Sequence, residues 1–197
     1  YIEDVFKLAK KADPNADLIY NDYNLYKPAK RAGVLRMVKK LQNNGTKISA
    51  VGVQAHWSLK FPSLNEIEQI ILDISDLDVD VIFTEIDITV LPNPWELVGA
   101  EVTQNFDKFE GDPKMDPYPN GLPDEIEAQL AKRYQDIFKL FIKHQDKISR
   151  VTFWGVMDRH SWLNDWPIKG RTNYPLLFDR NYQPKSAFKM LSNLLDN

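Results

Sequence analysis

The sequence contains no cysteine, which excludes disulfides and thiolate metal sites and leaves the redox compartment open. Charge of one sign is also scarce. The net charge is −3, with 25 basic and 28 acidic residues scattered along the chain. Nucleic acid is therefore not expected as a partner, because phosphate binding needs a concentrated basic face. No apolar run approaches the roughly 20 residues that span a bilayer, so no membrane partner is expected. No strand is followed by a GxGxxG or GxxxxGKS loop, which removes the common phosphate-binding signatures and with them any implied cofactor. Only three histidines are present, and no HxH pair exists among them. A metal-dependent hydrolase built on His56, Glu85, Asp87 and Asp158 thus lacks its second ligand histidine, and no metal is expected.

What is present is a protein of 197 residues, 43% hydrophobic and 27% charged, an ordinary globular composition of one-domain size. Tyr1 opens the chain inside an amphipathic helix whose apolar side is Ile2, Val5, Phe6, Ala9 and Ala12. A start of this kind fits a cut within a longer protein. Strands are expected at Leu18–Tyr26, Ile48–Leu59, Val79–Leu91 and Ile148–Trp162. Helices are expected at Val34–Asn44, Leu64–Leu77, Glu125–His144 and Pro184–Leu195. Ser63 with Glu66 forms a capping box ahead of the second of these helices. The segment from Pro92 to Asp124 carries six prolines and reads as a surface loop; a lid, or a cation held by Asp112, Asp116 and Asp124, is the alternative.

Alternation of strand and helix implies a parallel sheet covered by helices, either open or closed as a barrel. All four expected strands finish in polar and aromatic residues: Asn21-Asp22-Tyr23-Asn24, Gln54-Ala55-His56-Trp57, Glu85-Ile86-Asp87, and Trp154 through Asp158. Barrel enzymes build their sites at this end of each strand, and a full barrel needs about 250 residues and eight strands. The chain is therefore expected to supply half of one.

Period-two geometry places Val81, Phe83, Glu85 and Asp87 on one side of the third strand. Ile82, Thr84, Ile86 and Ile88 lie on the other, which suits packing against helices. Gln54 and His56 share a side by the same rule, as do Asn21 and Tyr23. Trp57, Trp154, Trp162 and Trp166 cluster near the strand ends. One tryptophan is expected to fill core; the others, beside amides and carboxylates, suggest a cleft for pyranose rings.

These motifs, in this order, resemble glycoside hydrolase family ten, the barrel xylanases. The resemblance rests on Asn21-Asp22-Tyr23-Asn24, Val51 through Trp57, Thr84-Glu85-Ile86-Asp87-Ile88, and Phe153-Trp154-Gly155-Val156 continuing to Asp158, Ser161 and Trp162. The tail from Pro175 to Asp179, leading to Pro184-Lys185, also fits. The resemblance implies a (β/α)8 barrel and retaining endo-β-1,4-xylanase activity on xylan or xylo-oligosaccharides. It marks Glu85 as nucleophile, His56 as the imidazole that hydrogen-bonds it, and Asp87 as the group that orients His56. Gln54, Trp154 and Trp162 would line the sugar site, with Tyr23 and Asn24 on the leaving-group side. Departures at Ala55, Met157 and Arg159-His160 bear on subsite preference.

A retaining glycosidase needs a second carboxyl, the acid/base, about 5–5.5 Å from the nucleophile. The family's acid/base glutamate motif has no counterpart in these residues. Asp87 lies on the same side of the sugar as Glu85 and is rejected for that role. Residues 1–197 are accordingly expected to be the C-terminal half of the barrel, strands five to eight, partnered by an N-terminal half on the same or another chain. A non-catalytic carbohydrate-binding or inert fragment is the alternative. Secretion, or a periplasmic or cell-surface location, is expected because polymeric xylan cannot enter a cell.

Overall fold

The computed structural model describes residues 1–94 and 106–196. Among the described residues, ten helices and strands follow one another: α1 Ile2–Ala12, β1 Ile19–Asp22, α2 Pro28–Asn43, β2 Ala50–Val53, β3 His56–Ser58, α3 Leu64–Ser75, β4 Asp80–Thr89, α4 Asp124–Lys143, β5 Ile148–Phe153 and α5 Ser186–Leu195. Among the described residues, no helix is long and apolar enough to cross a membrane.

The elements group into two compact units. The first holds residues 1–55, 62–86 and 140–152. In it β1 pairs β2, and β2 pairs the first part of β4, all in parallel. The register sets Asn21 beside Gly52 and Gly52 beside Ile82. Val34, Val38 and Leu41 from α2 and Ile67, Ile70, Ile71 and Ile74 from α3 are buried with β2 residues Ala50, Val51 and Val53. This spacing of three and four is the single apolar stripe a helix lays on a sheet. Phe83 stacks on Phe141 of α4 with ring centroids 4.2 Å apart. Arg31 on α2 is held by Asp73 on α3, with Nε donating at 2.6 Å.

The second unit holds residues 56–61, 87–139 and 153–197. β3 pairs the end of β4 in parallel, with His56 beside Asp87. Leu130, Tyr134 and Ile137 on α4, with Ile88 and Leu176, are fully buried. The Tyr134 hydroxyl escapes the cost of burial by donating to the Pro175 carbonyl at 2.6 Å. Phe106, Met115 and Ile168 form a smaller cluster.

Several expected boundaries move, each for a local reason. α2 begins at Pro28, six residues before the expected Val34, because proline is preorganised for a helix's first turn. α1 buries only Phe6 and leaves Val5 exposed, so its expected apolar side is largely uncovered. The second strand is interrupted at Gln54-Ala55 and becomes β2 and β3. The fourth ends at Phe153, nine residues early. Gly155 turns the chain at φ 132°, and two 3-10 turns follow at Asp158–His160 and Trp162–Asn164.

The largest correction concerns β4. Strict alternation put Phe83 on the side of Glu85, and Thr84 on the helix side. Instead Phe83 faces helix α4, and Thr84 shares a partner with Glu85. The register explains this. Val53 pairs Phe83 and His56 pairs Asp87, so β4 contains one residue more than the chain it pairs with. An extra residue of this kind is a β-bulge, which reverses the alternation beyond it. Part of the Pro92–Asp124 loop, residues 95–105, lies outside the described residues.

Candidate active site

Two groups of side chains are built on β4, one in each unit. In the first unit the centre is Glu85, half-buried on β4. Its Oε1 accepts from Asn21 Nδ2 at 3.0 Å. The other end of that amide, Asn21 Oδ1, accepts from the Thr84 hydroxyl at 2.8 Å. Asn21 therefore presents a donor to the carboxylate, which suits an ionised Glu85.

Around β1 a second set of contacts fixes Tyr23. Asp22 accepts from Lys30 Nζ at 2.7 Å, from the Tyr20 hydroxyl at 3.0 Å and from the Tyr23 backbone N–H at 2.8 Å. The same Lys30 ammonium sits 3.6 Å from the centroid of the Tyr23 ring. Tyr23 is more than half exposed, at 53%, and is thus an anchored aromatic platform. Asn24 follows with a left-handed φ of 58°, a conformation asparagine tolerates better than most residues. Gln54 is half-buried, and its backbone N–H donates to the Asp22 carbonyl at 2.9 Å.

In the second unit the centre is Asp87, which is fully buried. Its Oδ1 lies 3.0 Å from His56 Nδ1, and its Oδ2 accepts from Trp162 Nε1 at 2.8 Å. A buried carboxylate facing the indole donor is satisfied by a second donor, so Nδ1 carries the imidazole proton. The His56 ring lies edge-on to Trp162 at 4.9 Å and to Trp154 at 6.4 Å between centroids. Trp166 continues the row, 4.9 Å from Trp162. Trp154 and Trp166 are each 46% exposed, whereas Trp57 is buried at 4% and serves the core.

Of the residues singled out from sequence, Glu85, Gln54, Tyr23 and Asn24 belong to the first unit. His56, Asp87, Trp154 and Trp162 belong to the second. β4 carries both carboxylates, with Ile86 between them. Three further participants went unassigned. From sequence, Asn21 shares one side of its strand with Tyr23 but has no role, Thr84 lies on the helix side of its strand, and Gly52 figures only within the Val51–Trp57 motif. The signal at Gly52 was legible: a lone glycine within Val51-Gly52-Val53 marks a place where something comes close to the backbone.

Asp158 also gains partners the sequence does not connect. It is fully buried, with Oδ2 2.9 Å from Lys185 Nζ and Oδ1 accepting from the Leu176 N–H at 2.8 Å. Burial pushes its carboxyl up to about 6 and pulls the Lys185 ammonium down, with the pair's attraction opposing both. In the Pro92–Asp124 loop, Asp112 caps the Lys114 N–H and Asp116 the Thr172 N–H. Among the described residues, no three His, Asp or Glu side chains are grouped to hold a metal ion.

A family model described as Glycosyl hydrolase family 10 matches residues 1–194. Endo-1,4-beta-xylanase A of Xylanibacter ruminicola is 44% identical over 196 residues, covering all of this chain and 52% of that protein. The endo-1,4-beta-xylanase of Geobacillus stearothermophilus is 39% identical, covering 98% of this chain and 53% of that one. Among solved structures, a GH10 endoxylanase retrieved from a sugarcane soil metagenome superimposes with a TM-score of 0.89 at 48% identity. That match covers 98% of this chain and 53% of the other. The chain thus spans about half the length of the curated relatives it matches.

Proposed function

Because this chain belongs to glycosyl hydrolase family 10, we propose that it forms part of a (β/α)8-barrel endo-β-1,4-xylanase that hydrolyses internal xylosidic bonds with retention, using Glu85 as nucleophile. The observation that carries the assignment is the state of Glu85. It is a half-buried carboxylate on β4 whose Oε1 accepts from Asn21 Nδ2 at 3.0 Å, within the Thr84–Ile88 motif of a chain that matches the family model along residues 1–194.

In this reading Glu85 attacks the anomeric carbon of the xylosyl unit as the bond to the leaving oxygen breaks. A covalent glycosyl ester forms on Glu85. Water then attacks the same carbon from the opposite face and releases Glu85 as a carboxylate, so two inversions give net retention. The acid/base that protonates the leaving oxygen, and later takes the proton from water, is assigned to the portion of the family's barrel beyond these 197 residues. His56 supports the nucleophile's negative charge, and Asp87 holds the imidazole in one tautomer. Gln54, Trp154 and Trp162 contact the sugar being cleaved, and Tyr23 and Asn24 contact the leaving-group side. Flat rings suit the apolar faces of xylose, which lacks the exocyclic hydroxymethyl of glucose. Since the polymer cannot enter a cell, the enzyme is proposed to act outside the cytoplasm.

Replacement of Glu85 by alanine in the full-length protein tests this. Xylan hydrolysis is expected to fall by about 10³-fold or more, the scale of losing an essential nucleophile. Azide, filling the vacated space, is expected to restore turnover and to yield the α-configured glycosyl azide, since only one inversion then occurs. A variant that retains the parent rate, or a rescued product of β configuration, rules out Glu85 as nucleophile.

A further inference from the structure

On the premise that Glu85 is the nucleophile, we infer that Thr84 and Asn21 form a positioning relay for it, and that Gly52 is glycine so that the relay can cross the strand lying between them. The relay begins with distance. β2 separates β1 from β4 in the ladder, and two strand spacings amount to about 9.6 Å. A side chain as short as asparagine bridges that gap only by passing directly over the middle strand, with its partners leaning back to meet it.

The residue under the crossing is Gly52, whose register neighbours are Asn21 on one side and Ile82 on the other. A Cβ built at Gly52 would lie 2.7 Å from Asn21 Oδ1, 3.2 Å from Asn21 Cβ and 3.0 Å from Thr84 Cγ2. The first contact is shorter than a methyl group tolerates, so Asn21 Oδ1 would have to move, and the other two would have to give by a few tenths of an ångström. Gly52 has no left-handed φ, so backbone conformation does not demand glycine there. Space does.

Thr84 supplies the second half of the argument. Its hydroxyl donates to Asn21 Oδ1 at 2.8 Å and so anchors the amide whose Nδ2 donates to Glu85 Oε1 at 3.0 Å. With the amide reversed, its carbonyl oxygen would face an ionised carboxylate, which accepts and cannot donate. The carboxylate, which can only accept, thus selects the amide orientation, and the Thr84 hydroxyl anchors the amide in it by donating to the amide's carbonyl oxygen. Fixing Oε1 also fixes the plane of the carboxylate and makes its two oxygens inequivalent before substrate arrives. After the ester forms, its carbonyl oxygen still accepts from Nδ2. The bulge in β4 is what makes this possible, because it brings Thr84 and Glu85, adjacent in sequence, to the same asparagine.

Thr84 touches neither sugar nor water in this scheme and acts only through Asn21. The test is steady-state hydrolysis of xylohexaose by the full-length protein and its Thr84→Val, Thr84→Ser, Asn21→Ala and Thr84→Val/Asn21→Ala variants, with Glu85→Gln as reference. Thr84→Val keeps the shape and loses the hydroxyl. Its kcat is expected to fall about 10- to 100-fold, the scale of a misdirected hydrogen bond to a reacting charge. KM is expected to stay within about twofold, because the substrate contacts are intact. Thr84→Ser restores the hydroxyl and most of kcat. The double variant is expected to be no slower than Asn21→Ala, since one relay is lost only once.

Full kcat in Thr84→Val overturns the relay, as do losses that multiply in the double variant, a loss that Thr84→Ser does not recover, or a rise in KM at unchanged kcat. If Glu85→Gln itself retains activity, the nucleophile assignment falls and the relay falls with it. If Glu85→Gln is inactive and Thr84→Val is not impaired, only the relay falls. Gly52→Ala, scored by kcat after its melting temperature is matched to the parent's, is expected to reproduce the Asn21→Ala loss; parent kcat in that folded variant removes the role given to Gly52.

Discussion

Asp158 keeps a negative charge in the interior at a cost. Lys185 Nζ and the Leu176 N–H satisfy its two oxygens, and Lys185 is itself buried, donating also to the Tyr174 carbonyl at 2.7 Å. Burial nevertheless outweighs the attraction, which is why the carboxyl titrates near 6. Buried pairs often behave so, because each ion gives up more hydration than its partner returns. The sign follows from linkage. The folded value lies above the ordinary aspartate value of 3.8, so between about pH 4 and pH 6 the folded state binds the extra proton. The contribution of this group to stability is therefore greatest below that window and declines as pH rises through it. Glu127 and Glu68 have lowered values and the opposite slope, so the comparison must be made by difference. The stability of the parent minus that of Asp158→Asn is expected to decrease from pH 4 to pH 6. The Asp158 carboxyl carbon is expected to titrate in NMR near pH 6; titration near pH 4 contradicts this. Sequence alone placed Asp158 among polar strand-end residues. Nothing in local spacing announces that a lysine 27 positions later will share its cavity.

Elements were legible where one local rule acts alone. α3 starts where Ser63 and Glu66 say it should. The Ser63 hydroxyl accepts from the Glu66 N–H at 3.2 Å, and the Glu66 carboxylate accepts from the Ser63 N–H at 2.7 Å. The Ser63 hydroxyl, donating to the Glu66 carboxylate at 2.7 Å, and the Ser63 N–H together hold that carboxyl below its ordinary range, the hydroxyl more strongly. Ser63→Ala is expected to lower unfolding stability by about 1 kcal/mol, measured by urea denaturation at unchanged m-value; no change would mean the cap is redundant. Elements were misread where a tertiary demand overrides local pattern. α2 looked as though it began at Val34 because its first turn, Pro28 to Arg31, is not apolar. Arg31 is in fact buried at 8% exposure and satisfied by Asp73 and by the Leu25 and Tyr26 carbonyls. The fourth strand was extended to Trp162 because aromatic residues continued, yet Trp154 and Trp162 are there for what they contact. The β4 bulge was invisible for a stricter reason. Period-two reading assumes that every residue advances the alternation, and a bulge is the residue that does not. Glu85 and Asp87 were still assigned to one side because both follow the bulge's effect, whereas Phe83 precedes it.

For the molecule as a whole, alternation of strands and helices gives a parallel α/β sheet, since parallel strands require helical crossovers. The barrel follows only from the polar strand ends and the family motifs. Chemistry is a different matter, because a retaining glycosidase works with two carboxyls about 5–5.5 Å apart, on different walls of the cleft. Glu85 is proposed for one role. Asp87 is committed to His56 and Trp162, and Asp158 to Lys185, so neither is available as a proton donor to the leaving oxygen. The curated relatives are about twice as long as the stretch they share with this chain, and α1 leaves Tyr1, Val5 and Leu8 exposed, an apolar face suited to further packing. The 197 residues alone are therefore expected to release no reducing sugar from xylan. Supplying the remaining part of the family's barrel, in one chain or by mixing, is expected to restore hydrolysis and to make it depend on Glu85. Hydrolysis by the 197 residues alone, abolished by Glu85→Ala, would place the acid/base among them and send the search back to their remaining carboxyls.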